Sequence, residues 1–287
     1  MATTTPDFSP ANAARLRLLT FPREHGAWGI LLVPLITGAA IGYHTPSSII
    51  PLLLLAVAAL ALFCLRTPLE SWMATSSVRP QTSAERRAVL VSILTSASLA
   101  VAALALVIWL QRAWDLFLLG AVVGAAFLVQ AALKKLGRET RLPSQLAGSL
   151  GLTSTAAAAY YLAAGKLDAT ALALWGVNWL FAANQIHFVQ LRIHAARLTS
   201  RAEKLARGRA FLFGELLSVV LLGVLCRLGY LPGLAILSFA PVLLRGAVWP
   251  LSARTEPLQV RRLGLSELAY AIAFGVLLIL FYRLSVA

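Results

Sequence analysis

Three places in this 287-residue chain gather side chains able to do chemistry. Pro22-Arg23-Glu24-His25-Gly26-Ala27-Trp28 sets a guanidinium, a carboxylate and an imidazole side by side, just before an apolar stretch. Such a trio suits a charged headgroup, with His25 able to carry a proton. Arg23 and Trp28 would serve equally as interfacial anchors, a reading that gives no reason for Glu24 and His25. In the second place, Asn184 to His194, the side chains of Asn184, His187, Gln190 and His194 recur at helical spacing. A stripe of amides and imidazoles on an apolar helix needs partners inside a bundle, because lipid offers none. The third is a pair of isolated carboxylates, Glu215 after Phe213-Gly214 and Glu267 after Leu265-Ser266. Within a membrane each costs about 2.5 to 3.5 kcal/mol, so each should be paired or water-lined, and Arg245 is a possible partner for Glu215. Glu267 has a simpler alternative, a first-turn carboxylate favoured by the helix dipole behind a Ser266 cap.

The elements that must position these groups are nine apolar stretches, at about 27–43, 48–65, 88–110, 114–133, 144–164, 168–191, 210–226, 231–249 and 265–284. Each is close to the ~20 residues that cross a bilayer core as a helix. Of the 25 lysines and arginines, all but Arg112, Lys166, Arg227 and Arg283 fall on the amino-terminal arm, on alternate connections or, for Arg245, at the end of the eighth stretch beside one. By the positive-inside rule this places the amino terminus in the cytoplasm and the carboxyl terminus on the far side. Connections on the basic side are long, especially 66–87 and 192–209, and hold most of the polar chemistry.

With 59% hydrophobic residues, 13% charged and a mean hydropathy of +0.80, the composition excludes an ordinary soluble globule. The net charge of +14 is dispersed among short loops, where orientation and anionic lipid headgroups account for it without nucleic acid. Residues 1–22 read as an unstructured cytoplasmic tail and 23–287 as one all-α, nine-helix transmembrane domain of a multi-pass cell-membrane protein. Cys64 and Cys226 lie near opposite ends of their spans, too far apart for a disulfide. His187 and His194 are two helical turns apart, too far for one ion to bridge both rings, so no metal site and no cofactor is assigned. Gly120 and Gly124, Gly148, Gly151 and Ala156 to Ala159 mark faces for close helix packing, and Pro34 and Pro241 mark kinks.

The opening motif with Val33-Pro34-Leu35 and Gly38, together with Gly214-Glu215-Leu216-Leu217 and Arg262 to Glu267, resembles the YwiC-like family of bacterial membrane proteins. A fainter similarity is to the UbiA intramembrane prenyltransferases, which implies a UbiA-like nine-helix bundle with a cytoplasm-facing active site. In that family Asp-rich motifs at the ends of the second and sixth helices hold magnesium and a prenyl diphosphate. Here the matching places read Leu65 to Trp72, with Arg66 and Glu70, and Asn184 to Arg197, without the aspartates. Magnesium-dependent prenyl transfer is therefore not expected, although Arg66, Arg79 and Arg192 are suited to clamp a phosphate directly.

These readings lead to a membrane protein that binds an isoprenoid or phospholipid-like amphiphile in a cytoplasm-facing cavity. Arg23, Arg66 and Arg192 would hold its headgroup. His25, His187 and Glu215 would act as polar contacts or proton carriers, and Glu24, Glu70, Asn184, Gln190 and Glu267 would line the site. A proton-coupled transporter using Glu215 and His187 is the alternative. Against it stand an odd helix count and the absence of an internal repeat. A structural subunit, whose polar stripes pair with one another, is the third reading. Ligand identity, catalysis and oligomeric state stay open.

Overall fold

The structure is a computed structural model that describes residues 10–22, 25–76, 78–196, 198, 200–251 and 259–286. Every one of the nine apolar stretches is helical, and no strand occurs among the described residues. Six stretches, 46–72, 83–111, 115–135, 201–227, 233–251 and 261–285, are long and apolar enough to cross a bilayer by length and composition. The chain is an integral, multi-pass membrane protein. Its surface agrees: Trp109 is 77% exposed and Leu128 65%, a display that water penalises and lipid does not. Two compact units form, residues 1–24 with 53–112 and residues 25–52 with 113–287, and each is described by itself.

In the first unit, α1 (Pro10–Thr20) occupies the arm that the sequence suggests is unstructured. Leu19 is fully buried, and Ser71 Oγ donates to Leu19 O at 3.4 Å. Arg15 Nε reaches Glu85 Oε1 at 2.5 Å, so a charge pair and one leucine dock α1. In the second unit, α2 (His25–Gly42) follows it in sequence.

Helix α3 (Ile49–Trp72) runs seven residues past the apolar stretch and takes Arg66 and Glu70 with it, so the long basic connection shortens. Helix α4 (Ser83–Gln111) begins early because Thr82 caps it, accepting from Glu85 N at 3.2 Å. The connection at 192–209 shrinks likewise, since α8 (below) runs on to His194 and its successor starts at Arg201.

The remaining helices are α5 (Asp115–Lys135), α6 (Arg141–Thr153), α7 (Thr155–Ala164), α8 (Ala169–His194), α9 (Arg201–Arg227), α10 (Ala240–Val248) and α11 (Val260–Val286). The fifth apolar stretch is thus broken, between α6 and α7. Thr153, Ser154 and Thr155 turn their hydroxyls back onto Ser149 O, Gly151 O and Leu152 O at 2.7 to 2.9 Å, offering the backbone an alternative to the ladder. The eighth is also discontinuous: a 3₁₀ segment, Gly233–Phe239, leads into the nine-residue α10, and another, Trp249–Leu251, ends it. Pro241 lies in the first turn of α10, where its missing N–H is harmless, so it starts a helix and does not kink one.

Close packing is carried by α2 against α7. A Cβ on Gly38 would overlap the Ala156 backbone, and one on Gly42 would lie 2.9 Å from Tyr160 O. The thin run Ala156–Ala159 is buried on that seam. Gly120 and Gly124, expected at such a seam, have no neighbour within 4 Å of a built Cβ among the described residues; on α5 the tight contact is Gln130 against Gly148. Thr155 Oγ1 ties the seam to Leu31 O at 3.2 Å, and Arg283 of α11 closes the end of α2 by donating to Ala40 O and Tyr43 O. Asn178 Nδ2 donates to Thr37 Oγ1 at 3.2 Å, joining α8 to α2.

Candidate functional site

Four helices of the second unit converge on one buried polar cluster. Its centre is Arg245 on α10, whose side chain is 7% exposed. Arg245 Nη1 donates to Glu267 Oε2 of α11, a side chain 5% exposed. Arg245 Nη2 donates to Asn184 Oδ1 of α8 at 2.8 Å, and Asn184 Nδ2 donates to Glu215 Oε1 of α9 at 3.2 Å. Asn184 is therefore a bridge, giving one end to the guanidinium and the other to the second carboxylate. Gln185 Nε2, next along α8, donates to Glu267 O at 2.6 Å and fixes that helix.

The walls are apolar. The Arg245 guanidinium carbon lies over the Phe188 ring, 3.9 Å from its centroid, and over the Tyr270 ring at 4.8 Å. Phe188 also belongs to a core with Leu191, Phe211, Trp249 and Leu263. One turn from Asn184, Phe181 stacks on Phe274 at 4.0 Å, and Phe239 meets Phe274 edge-on at 5.4 Å. Buried beside the Phe188 and Tyr270 rings, the cluster sits in a low dielectric, where charge pairs are strong and unpaired charge is costly. Gly246 sits beside the Glu215 carboxylate, and a Cβ there would collide with both oxygens and Cδ.

Two buried groups lack a hydrogen-bond partner in the cluster, Arg245 Nε and Glu267 Oε1. The charge count is also unequal. Two carboxylates share one guanidinium, so the cluster carries one negative charge unless a carboxyl holds a proton.

Of the residues singled out from sequence, Asn184, Glu215 and Glu267 come together here. Glu267 does not open a helix: α11 starts at Val260, and Ser266 Oγ donates to Leu263 O at 2.8 Å and caps nothing. The direct partner of Arg245 is Glu267, and Glu215 is reached only through Asn184. The rest of the α8 stripe disperses. His187 packs edge-on against Phe211 at 5.5 Å; Gln190 Nε2 donates to Gln145 Oε1 of α6 at 2.6 Å; Arg192 lies 6.0 Å from the Phe188 ring. His194 Nδ1 is 2.7 Å from Gln190 O of its own helix. Arg66 Nε pairs with Glu70 Oε1 at 2.9 Å within α3, in the first unit. Arg23 and Glu24 lie outside the described residues, and His25 is described only as the first residue of α2. No group of three His, Cys, Asp or Glu able to hold a metal occurs among the described residues. Gln185, Gly246, Phe188 and Tyr270 were not picked out by sequence reasoning. Gln185 stands inside the polar run, whereas nothing in the sequence marks the two rings as flanking an arginine.

A family model described as YwiC-like protein matches residues 21–160. Over that span the chain is similar to the YwiC-like family. The matched region contains the opening motif, the α2 to α7 seam with its glycines and the break between α6 and α7. It ends before α8, so Asn184, Glu215, Arg245 and Glu267 lie beyond it. No curated protein and no solved structure matches the chain.

Proposed function

We propose that this chain is a nine-span carrier of the cell membrane, with a cytoplasmic amino terminus, in which Glu215 takes up and releases a proton. The observation that carries the reading is a second buried carboxylate, Glu215, joined only through Asn184 to a guanidinium already paired with Glu267. Arg245 is committed to Glu267, and Asn184 offers Glu215 a neutral hydrogen bond that serves either form of the carboxyl. An intramembrane carboxylate without a counter-ion is a group suited to proton traffic. A metal cation is a poorer complement, because Glu215 is met by an N–H donor and by the glycine carbon, and hard cations need several oxygens.

Two interrupted spans favour a carrier over a static subunit. Irregular backbone at membrane depth is tolerated where it lines a route or lies buried in protein, and broken helices are where carriers gather their sites. Here α10 carries Arg245 and Gly246, so the second interruption lies at the cluster itself. The amphiphile reading finds less support, since Arg66, one of its headgroup residues, is engaged with Glu70.

Infrared difference spectroscopy of the reconstituted protein tests the assignment. A carboxylic-acid C=O band that appears on acidification and is missing from Glu215→Gln is the expected result. The same band in wild type and variant, or no such band in either, would refute it.

A further inference from the structure

The unused edge of Arg245 names a class of substrate, an inference that rests on the proton-carrier reading. A guanidinium presents five N–H donors in a planar fork. Nε and Nη2 share one edge of it. On that edge Nη2 meets only the neutral oxygen of Asn184, and Nε meets nothing although the side chain is 93% buried. The guanidinium carbon lies 3.9 Å from the Phe188 ring centroid and 4.8 Å from that of Tyr270, and the free Nε–H lies in the plane of the fork, where any acceptor for it must also lie. A planar group with two oxygens is what such an edge binds best, in two parallel hydrogen bonds. Glu267 is held at Nη1 and leaves this edge free.

We infer that the Nε–Nη2 edge of Arg245 binds a small monocarboxylate, which enters together with the proton on Glu215. One oxygen takes Nε–H, and the other replaces Asn184 Oδ1 at Nη2. Charge balance sets the coupling. Without substrate, Glu267, Arg245 and ionised Glu215 sum to one negative charge. With a carboxylate bound and Glu215 protonated, the sum is again one negative charge. Binding the anion without the proton would put a second uncompensated charge into an aromatic-walled site, so the two bind together. No bond to carbon is made or broken; one proton moves onto Glu215 and leaves with the substrate. Other charged or titratable groups near the cluster are Tyr270 on α11, whose ring lies 4.8 Å from the guanidinium carbon, Arg192 on α8, whose charge acts on Glu267, and His187, whose Nδ1 faces Gly214 of α9. The orphan oxygen of Glu267 would accept from a hydroxyl on the substrate, favouring lactate over acetate. Entry requires α10 to yield, and α10 is a nine-residue helix between two 3₁₀ turns, a join suited to a hinge.

The test is binding of acetate and L-lactate to the full chain, read by thermal shift and by titration calorimetry across pH, with chloride and acetamide as controls. Expected are binding of both acids, affinity that rises about tenfold per pH unit as pH falls through the Glu215 transition, and a loss of at least about tenfold in Arg245→Lys, which lacks the fork. Glu215→Gln should bind with no pH slope, and it carries the test should the lysine variant fail to fold. The inference is overturned if neither acid binds, if chloride binds as well, or if Glu215→Gln keeps the wild-type slope. Persistence of the Glu215 infrared band without carboxylate binding would remove the substrate class and leave the proton carrier. Loss of that band would remove both.

Discussion

Replacing the two carboxylates separately with glutamine should have unequal consequences, although both are buried and both lie within reach of Arg245. Glu267→Gln removes the charge that Arg245 Nη1 contacts directly, leaving a buried guanidinium with neutral partners. Breaking a buried pair by removing one partner destabilises by about 3–5 kcal/mol. In a bundle whose unfolded reference stays in the membrane or detergent the figure falls toward the lower end, because stranded groups find substitutes there. Glu215→Gln is different. Below the pH of the Glu215 transition, where that carboxyl holds a proton, glutamine is close to an isostere, and the bond from Asn184 Nδ2 survives on the amide oxygen. The cost should then stay within about 1 kcal/mol, the worth of one neutral hydrogen bond. Arg245→Met strands Glu267 and should again cost about 3–5 kcal/mol, while the double variant Arg245→Met/Glu267→Leu should recover much of that, since apolar replacement of a whole buried pair is often neutral. Unfolding by SDS titration in mixed micelles, followed by circular dichroism, measures all four. Equal losses for the two glutamine variants would refute the charge argument. A double variant no more stable than Arg245→Met alone would refute the pairing.

Further outcomes follow from single contacts. Gly246→Ala pushes a methyl into the Glu215 carboxylate and should destabilise by about 1–3 kcal/mol while weakening the infrared band assigned to Glu215; an unchanged band would show that the glycine does not position the acid. Gly38→Ala meets backbone on α7, and because the Ala156 carbonyl cannot rotate away as a side chain would, the loss should reach or exceed about 3 kcal/mol in the same SDS titration. Gly120→Ala, with open space around it, should stay within about 0.5 kcal/mol. Arg15→Ala removes the ion pair to Glu85, so trypsin should cut after Arg17 sooner than in wild type, and equal cleavage times would show that Leu19 alone docks α1.

The parts of this fold legible in sequence are those governed by composition. Nine apolar stretches become helix because a bilayer leaves the backbone no other partner but itself or a closed sheet. The ends of those helices were less legible: Arg66 to Trp72 and Arg192 to His194 continue α3 and α8 because a charged side chain can stand on a helix that has left the lipid. The hydroxyl run Thr153-Ser154-Thr155 reads as part of an apolar stretch, and its break follows from three local hydrogen bonds that hydropathy does not weigh. Gly120-x-x-x-Gly124 had the spacing of a packing face, yet the close approach went to Gly38 and Gly42, because a seam needs a thin partner and Ala156–Ala159 lies on α7. At the site, Asn184, Glu215 and Glu267 announced themselves as polar groups that lipid cannot satisfy. Their pairing did not, since four helices distant in sequence supply it. Ser266-Glu267 imitated a helix start, and only the placement of Val260 shows that the carboxylate lies two turns in.

The division between frame and chemistry bears on how far the family match reaches. The matched residues, 21–160, hold the seam that sets α2 against α7 and the first interrupted span. Both are packing features, and packing of this kind supports many functions. The cluster that could move a proton lies on α8 to α11, outside the match, and depends on four side chains from four helices. Losing any one breaks the arrangement: without Arg245 two carboxylates lack a counter-ion, without Glu267 the guanidinium loses its direct partner, and without Asn184 the bridge to Glu215 is gone. A chain that shares the frame and not these four positions should therefore fold alike and show no titrating carboxyl at this depth. Replacing Asn184 with leucine in this chain imitates that case while leaving the ion pair in place. Glu215 should then lose its infrared signature or shift it in frequency, with a stability loss of about 1–3 kcal/mol for the stranded polar ends. An unshifted band would mean that the bridge is incidental and that the proton is held by contacts of Glu215 other than Asn184.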